Sequence, residues 1–238
     1  MIHLQTTFGA NRMNFHVCSS LETFKPNDTY EANLKELLSY LSNETTSKDF
    51  SLGSNGFGQN QTHGLALCRG NILATDCATC VDDASEQILK QCPYNEGAVI
   101  WYDNCLLRYL NEECFGQLDL LINFYHMCNK DNYPSQPMMF NPKTSNFMSQ
   151  LAKEAVVNQK MYANRKAKLD GLNIFYGLAQ CTRDLSSLFC ETCLNNTIKA
   201  LSYNCYGRQG GRVHTGNCNV RYEMYDFISA WILQYHGV

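Results

Sequence analysis

Apolar residues along the chain recur with two periods, and each period predicts a different kind of element. In "NDTYEANLKELLSYLSN", Leu34, Leu37, Leu38 and Leu41 fall at i, i+3, i+4 and i+7, which predicts a helix with one buried stripe. Asp28, three residues ahead of Glu31, predicts a capping box at its start. "NPKTSNFMSQLAKEAVV" predicts a matching helix later in the chain, with Asn141 as N-cap and Pro142 at the first helical position. Val81, Ala84 and Ile88 mark the inner face of another helix, and Leu194, Thr197 and Leu201 that of its counterpart. Between the paired helices, "FSLGS" and "HGLALCRG" read as short strands, matched by "NIFYGLAQCTR". "GAVIWYDNCLLRYL" and "GRVHTGNCNVRYEMYDF" read as β-rich pairs closed by turns. Helices packed on antiparallel sheet predict an α+β architecture.

The elements come in two sets because the chain repeats. Cys68, Cys77, Cys80, Cys92 and Cys105 are separated by 9, 3, 12 and 13 positions, and so are Cys181, Cys190, Cys193, Cys205 and Cys218. Cys18 leads the first set and Cys128 the second. A period near 110 residues is too long for a solenoid and suits two domains, here divided as 1–116 and 117–238.

Composition narrows the class. The chain has 238 residues, of which 45% are hydrophobic and 17% charged, enough apolar surface for packed cores. A formal net charge of -3, without a run of Lys or Arg, argues against a nucleic-acid partner. No apolar stretch is long enough to cross a membrane. The opening "MIHLQTTFGANRMNFHV" does not read as a signal peptide. Thirteen cysteines nevertheless point to an oxidising compartment. Sequons at Asn27, Asn43, Asn60 and Asn195 agree with that, so we expect a glycosylated, secreted protein whose targeting peptide has been trimmed.

One C-x-x-C per repeat, with the other cysteines single and no recurring His, is a poor zinc set, and no metal or cofactor is expected. A redox pair would leave four cysteines per repeat unexplained. Disulfides account for all six, although six cysteines allow about 15 pairings. Cys80 and Cys92 bracket a helix roughly 18 Å long, far beyond the span of a bridge, so Cys80 must reach another element. Cys114 has no counterpart in the second repeat and is expected to be an inert thiol at the domain junction.

C-x8-C-x2-C with further cysteines on both sides, present twice in full, resembles the signature of the ginkbilobin-type (salt-stress/antifungal) domain. The resemblance covers the chain from Cys18 through "CNVRYEMYDF". It implies tandem domains, each with two helices on a roughly five-stranded antiparallel sheet. It also implies bridges Cys18–Cys92, Cys68–Cys77 and Cys80–Cys105, then Cys128–Cys205, Cys181–Cys190 and Cys193–Cys218. Plants carry such pairs of domains in secreted cysteine-rich repeat proteins, receptor-like kinase ectodomains and plasmodesmata-located proteins.

Single-domain members of the family bind mannose through an Asn after the first cysteine, an Arg six before the last and a Glu five after it. Asn129, Arg212 and Glu223 match all three positions, whereas the first repeat has Ser19, Val99 and Leu110. The chemistry suits sugar hydroxyls: a guanidinium donates, a carboxylate accepts and an amide does both. Arg212 and Glu223 flank Gly216-Asn217 almost evenly, as cross-strand neighbours in a hairpin would. The competing reading is a surface ion pair with Asn129 in a turn.

Other candidates are weaker. Trp101, Tyr102, Tyr203 and Tyr206 are as well explained by packing as by a binding surface. Asp103 with Glu113, or Glu223 with Asp226, have no fixed separation that would favour a glycosidase. Catalysis is not expected. The resemblance implies a secreted, apoplastic defence protein that binds a mannose-containing glycan or cell-wall component through the second domain. The alternative is an extracellular protein-recognition module, similar to a receptor ectodomain, without sugar binding.

Overall fold

The computed structural model describes residues 13–18, 21–118, 125–130, 137–170 and 173–229, with side chains omitted at 137–140, 169 and 170. Residues 1–12 of the N-terminal stretch considered above lie outside them. The first repeat runs β1 (Met13–Cys18), α1 (Thr29–Lys48), β2 (Phe50–Asn55), β3 (Thr62–Cys68), α2 (Ala74–Gln91), β4 (Ala98–Tyr102) and β5 (Cys105–Leu110). The second follows the same plan: β6 (Tyr125–Cys128), α3 (Pro137–Val157), β7 (Tyr162–Asp170), β8 (Asn173–Cys181), α4 (Ser187–Asn204), β9 (Gly211–His214) and β10 (Cys218–Glu223). The two five-stranded sheets have orders β1-β4-β5-β3-β2 and β6-β9-β10-β8-β7, all antiparallel. The fold is α+β, and the duplication extends to its strand order.

Helix α1 starts where its sequence says it should. Asp28 accepts from the Glu31 amide at 2.9 Å, while Glu31 reaches back to the Asn27 amide at 2.6 Å. Asn27 takes a left-handed φ of 64°, a conformation that Asn tolerates better than most residues. Leu34, Leu37, Leu38 and Leu41 are all buried. Helix α3 departs from expectation. It starts at Pro137, so Pro142 lies inside it, and Asn141 accepts from the Gly207 amide at 3.0 Å instead of capping the helix.

Six bridges join these elements, with Cα–Cα distances of 5.3 to 6.2 Å: Cys18–Cys92, Cys68–Cys77, Cys80–Cys105, Cys128–Cys205, Cys181–Cys190 and Cys193–Cys218. In each repeat one bridge ties the leading strand to the end of the second helix. The other two pin that helix to the sheet.

Each sheet carries its helices on one face and the other repeat on the opposite face. All seven residues of β3 are therefore buried, as expected for a strand covered on both sides. Leu65, Leu67, Val99, Trp101 and Leu106 form the apolar centre on the first repeat's inner face, with Phe15 and Val17 packed against it. Tyr162, Leu178 and Phe227 form its counterpart on the second. Trp101 donates to the Thr215 carbonyl at 3.0 Å, Gln180 donates to the Cys68 carbonyl at 2.9 Å, and Phe15 stacks on Tyr125 at 3.8 Å. Gly70 fits against the Tyr162 ring, where an added Cβ would lie 2.4 Å from Cγ. At one end of the interface Asp49 pairs with Lys160 at 2.6 Å and with Arg183 at 3.6 Å.

Candidate functional site

Asn129 follows the last residue of β6, Arg212 is in β9 and Glu223 ends β10. Two of the three meet. Asn129 donates to Glu223 Oε2 at 3.1 Å, and its own amide donates to the Gly210 carbonyl at 3.0 Å. Gly210 makes that meeting possible: a Cβ there would stand 1.9 Å from Glu223 Oε2 and 2.4 Å from Asn129 Nδ2.

Arg212 is not the cross-strand partner of Glu223. The register places Arg212 opposite Arg221, while Glu223 lies opposite Tyr176 of β8. The hairpin turn explains the offset. The Thr215 amide donates to the Cys218 carbonyl, so the reversal is centred between Gly216 and Asn217, earlier in the chain than an even split of 212 and 223 requires.

The Arg212 guanidinium crosses the interface instead. Its Nη1 pairs with Asp103 Oδ1 and donates to Asn14 Oδ1 at 2.9 Å, and Asn14 itself donates to Asp103 at 3.2 Å. Arg221 bridges the two halves of the cluster. Its Nη1 lies 3.6 Å from Asp103 Oδ1, its Nε donates to Glu223 Oε1 at 3.1 Å and its Nη2 to the Tyr225 hydroxyl at 2.8 Å. Its guanidinium also lies 4.2 Å from the Phe227 ring centre. The result is an alternating chain, Arg212–Asp103–Arg221–Glu223–Asn129, that crosses from the second repeat to Asp103 of the first and back.

Little of it faces water. The Glu223 side chain is 3% exposed, Arg221 10% and Arg212 12%. Burial raises the Asp103 pKa, but the positive charges of Arg212 and Arg221 outweigh it and the net displacement is downward. His214, two residues beyond Arg212 on β9, is fully enclosed. Burial, and then Arg212, push it down to about 3, so it is neutral. Its ring lies 6.1 Å from Trp101 and 6.5 Å from Tyr125, and neither nitrogen has a hydrogen-bond partner among the described residues. The cavity enclosed by Asn14, Arg69, Asp103, Arg212, His214 and Arg221 measures about 30 Å³, room for a water and not for a hexose.

Asp103, Asn14, Arg221 and His214 complete this cluster, and sequence reasoning did not connect any of them with Arg212. Asp103 carried a faint signal, as a charge in the turn between two apolar strands. Among the remaining sequence candidates, Trp101 serves the interface and Tyr102 is buried, while Tyr203 and Tyr206 are exposed on and just beyond α4. Asp226 caps its own turn by accepting from the Ile228 and Ser229 amides. Cys114 is half-buried, with Arg108 Nη2 3.3 Å from its sulfur. No group of His, Cys, Asp or Glu among the described residues could hold a metal ion.

The family model described as salt stress response/antifungal matches residues 17–112 and again residues 127–225. The chain belongs to the salt stress response/antifungal family. Among curated members, an antimicrobial ginkbilobin-2-like protein of Castanea crenata is 48% identical over 216 residues, covering 91% of this chain and 89% of that protein. Cysteine-rich repeat secretory protein 38 of Arabidopsis thaliana is 42% identical over 221 residues, covering 92% and 86%. The tandem DUF26 ectodomain of the Arabidopsis thaliana cysteine-rich receptor-like protein PDLP8 shares the fold, with a TM-score of 0.78 at 24% identity over 90% of this chain and 99% of that one. This salt stress response/antifungal member thus has the doubled fold of a receptor-like ectodomain. No helix among its described residues is long and apolar enough to cross a membrane.

Proposed function

We propose that this is a secreted, extracellular plant defence protein that acts by recognising a partner protein through its outer surfaces, and that the Asn129–Arg212–Glu223 group clasps the two repeats together. Secretion and a defence role rest on the family and on relatives named antimicrobial and secretory. One observation carries the rest: Asp103 and Asn14 of the first repeat take up Nη1 of Arg212, a donor that a sugar would need. Recruiting that donor for mannose would require the repeats to part, at the cost of the Trp101 and Phe15 contacts.

A second reading keeps mannose as the ligand, and the 3.1 Å approach of Asn129 to Glu223 favours it, since two of the three polar residues are assembled. Calorimetric titration of the full chain with mannose and mannan separates the two. We expect no saturable heat from wild type, and growth inhibition of a test fungus that excess mannose does not relieve. Saturable binding that Arg212→Ala abolishes while the chain stays folded would replace the clasp by the mannose site.

A further inference from the structure

The helical face of the second repeat holds an open groove of about 750 Å³ between α3 and α4, a volume within the range of small-ligand sites. Ser145 and Ser149 line one wall. Asn195, Lys199, Ser202 and Tyr203 form a stripe along the other at the i, i+4, i+7, i+8 spacing of one helix face, and Tyr206 continues it in the turn just beyond α4. Tyr203 is 85% exposed and Tyr206 56%, unusual for large rings on adjacent turns.

The duplication supplies an internal control. Counted from Cys80 and Cys193, the first repeat has Asp82, Glu86, Leu89, Lys90 and Pro93 where the second has Asn195, Lys199, Ser202, Tyr203 and Tyr206. Matching Leu34, Leu37, Leu38 and Leu41 to the buried Met148, Leu151, Ala152 and Ala155 puts Glu31 and Lys35 opposite Ser145 and Ser149. The first repeat spends this surface on ion pairs, Lys35–Glu31 at 2.6 Å and Lys90–Glu86 at 3.4 Å, as an ordinary solvated helix face does. In the second repeat the carboxylates are gone. Hydroxyls, an amide, a lone ammonium and two aromatic rings replace them.

That is the inventory a saccharide uses. Hydroxyl and amide groups exchange hydrogen bonds with sugar hydroxyls. The slightly positive C–H face of a pyranose rests on the electron-rich face of an aromatic ring. The groove also contains its own attachment point, because Asn195 is the acceptor of the sequon Asn195-Asn196-Thr197 and its side chain is exposed.

We propose that the groove between α3 and α4 is the berth of the chain's own N-linked glycan, attached at Asn195. The linkage forms when Asn195 Nδ2 attacks the anomeric carbon of an oligosaccharide carried on a lipid pyrophosphate. The carbon–oxygen bond to the pyrophosphate breaks, its electron pair leaves with the carrier, and one amide proton is lost. The first sugars then lie along α4 over Tyr203 and Tyr206 and shield the two rings.

The test uses the full chain secreted from plant cells. Glycopeptide mass spectrometry reads occupancy at Asn195, and nitration with tetranitromethane reads access to each tyrosine. We expect Asn195 to be occupied, and Tyr203 and Tyr206 to be nitrated severalfold more slowly in wild type than in Asn195→Gln. Tyr40 and Tyr94, exposed in the first repeat, should react alike in both proteins. An unoccupied Asn195, or equal nitration of Tyr203 and Tyr206 in the two proteins, overturns the proposal. Saturable shifts of the Tyr203 and Tyr206 resonances on adding N,N'-diacetylchitobiose to the glycosylated chain would also overturn it, by showing the groove open to a free saccharide.

Discussion

Arg212 sits directly across from Arg221 in the β9–β10 ladder, two cations at one register position. Like charges so placed oppose pairing. The counter-charge comes from outside the sheet, because Asp103 of the first repeat contacts both guanidinium groups. The second repeat's hairpin is therefore completed by a residue of the first.

Removing that residue should be costly. Asp103→Ala leaves two largely buried cations without their shared anion, and we expect a loss of about 3 kcal/mol in urea unfolding, the lower end for breaking a buried pair. Adding Arg212→Ala should restore part of the loss, since one of the repelling cations is then gone. If the two losses simply add, Asp103 and Arg212 are not coupled. Arg212→Ala alone should also destabilise, because at 12% exposure this is no surface pair.

Acid should loosen the interface, and the sign follows from His214. Its folded pKa is pushed down to about 3 from an ordinary 6.5, so between these values the unfolded chain takes up a proton that the folded chain refuses. Stability from this group is complete above pH 6.5 and lost as pH falls toward 3, by up to about 1.4 kcal/mol per pH unit. His63, also lowered by burial, contributes in the same direction. Asp103 acts lower still: its depressed pKa gives stability above its ordinary 3.8 that disappears as pH drops through the folded value. Urea midpoints at pH 7 and 4.5 should differ clearly in wild type and less in His214→Phe.

Gly210 tests how tightly Asn129 and Glu223 are held. A methyl at this position must displace a carboxylate that is 3% exposed and has little room to move. Gly210→Ala should cost about 1 to 3 kcal/mol by overpacking, seen as a lower melting temperature. An unchanged melting temperature would mean that the Asn129–Glu223 contact is slack.

Trp101→Phe keeps most of the apolar contact between the sheets but leaves the buried Thr215 carbonyl without its indole donor. The expected loss is about 1 to 3 kcal/mol in urea unfolding followed by circular dichroism. A neutral substitution would place the strength of the interface in packing alone.

The doubled architecture was legible because it is written in local features. Cysteine intervals repeat, and Leu34 through Leu41 declare a helical stripe whatever the rest of the chain does. Strands β1, β6 and β7 were harder. The "YANRKAKLD" of β7 is an edge strand, and its charges blunt the edge while hiding it from a search for apolar alternation. In β1 only Met13, Phe15 and Val17 mark the alternation, over six residues. The start of α3 was misplaced because Asn141-Pro142 resembles a helix start, and nothing local says that Gly207 claims the Asn141 side chain. Asn129, Arg212 and Glu223 could be found by offset, but their environment could not. Asp103 is 109 positions from Arg212, and no local rule pairs them.

The two-sided burial of the first sheet also bears on synthesis. Asp103 leaves the ribosome well before Arg212 and Arg221, and domains made in this order fold from the N-terminus. When β9 and β10 come together, their anion is already held in a folded turn beside Asn14. A chain with its repeats exchanged would have to close the same hairpin before that anion had been made, with two cations facing each other in the newborn sheet.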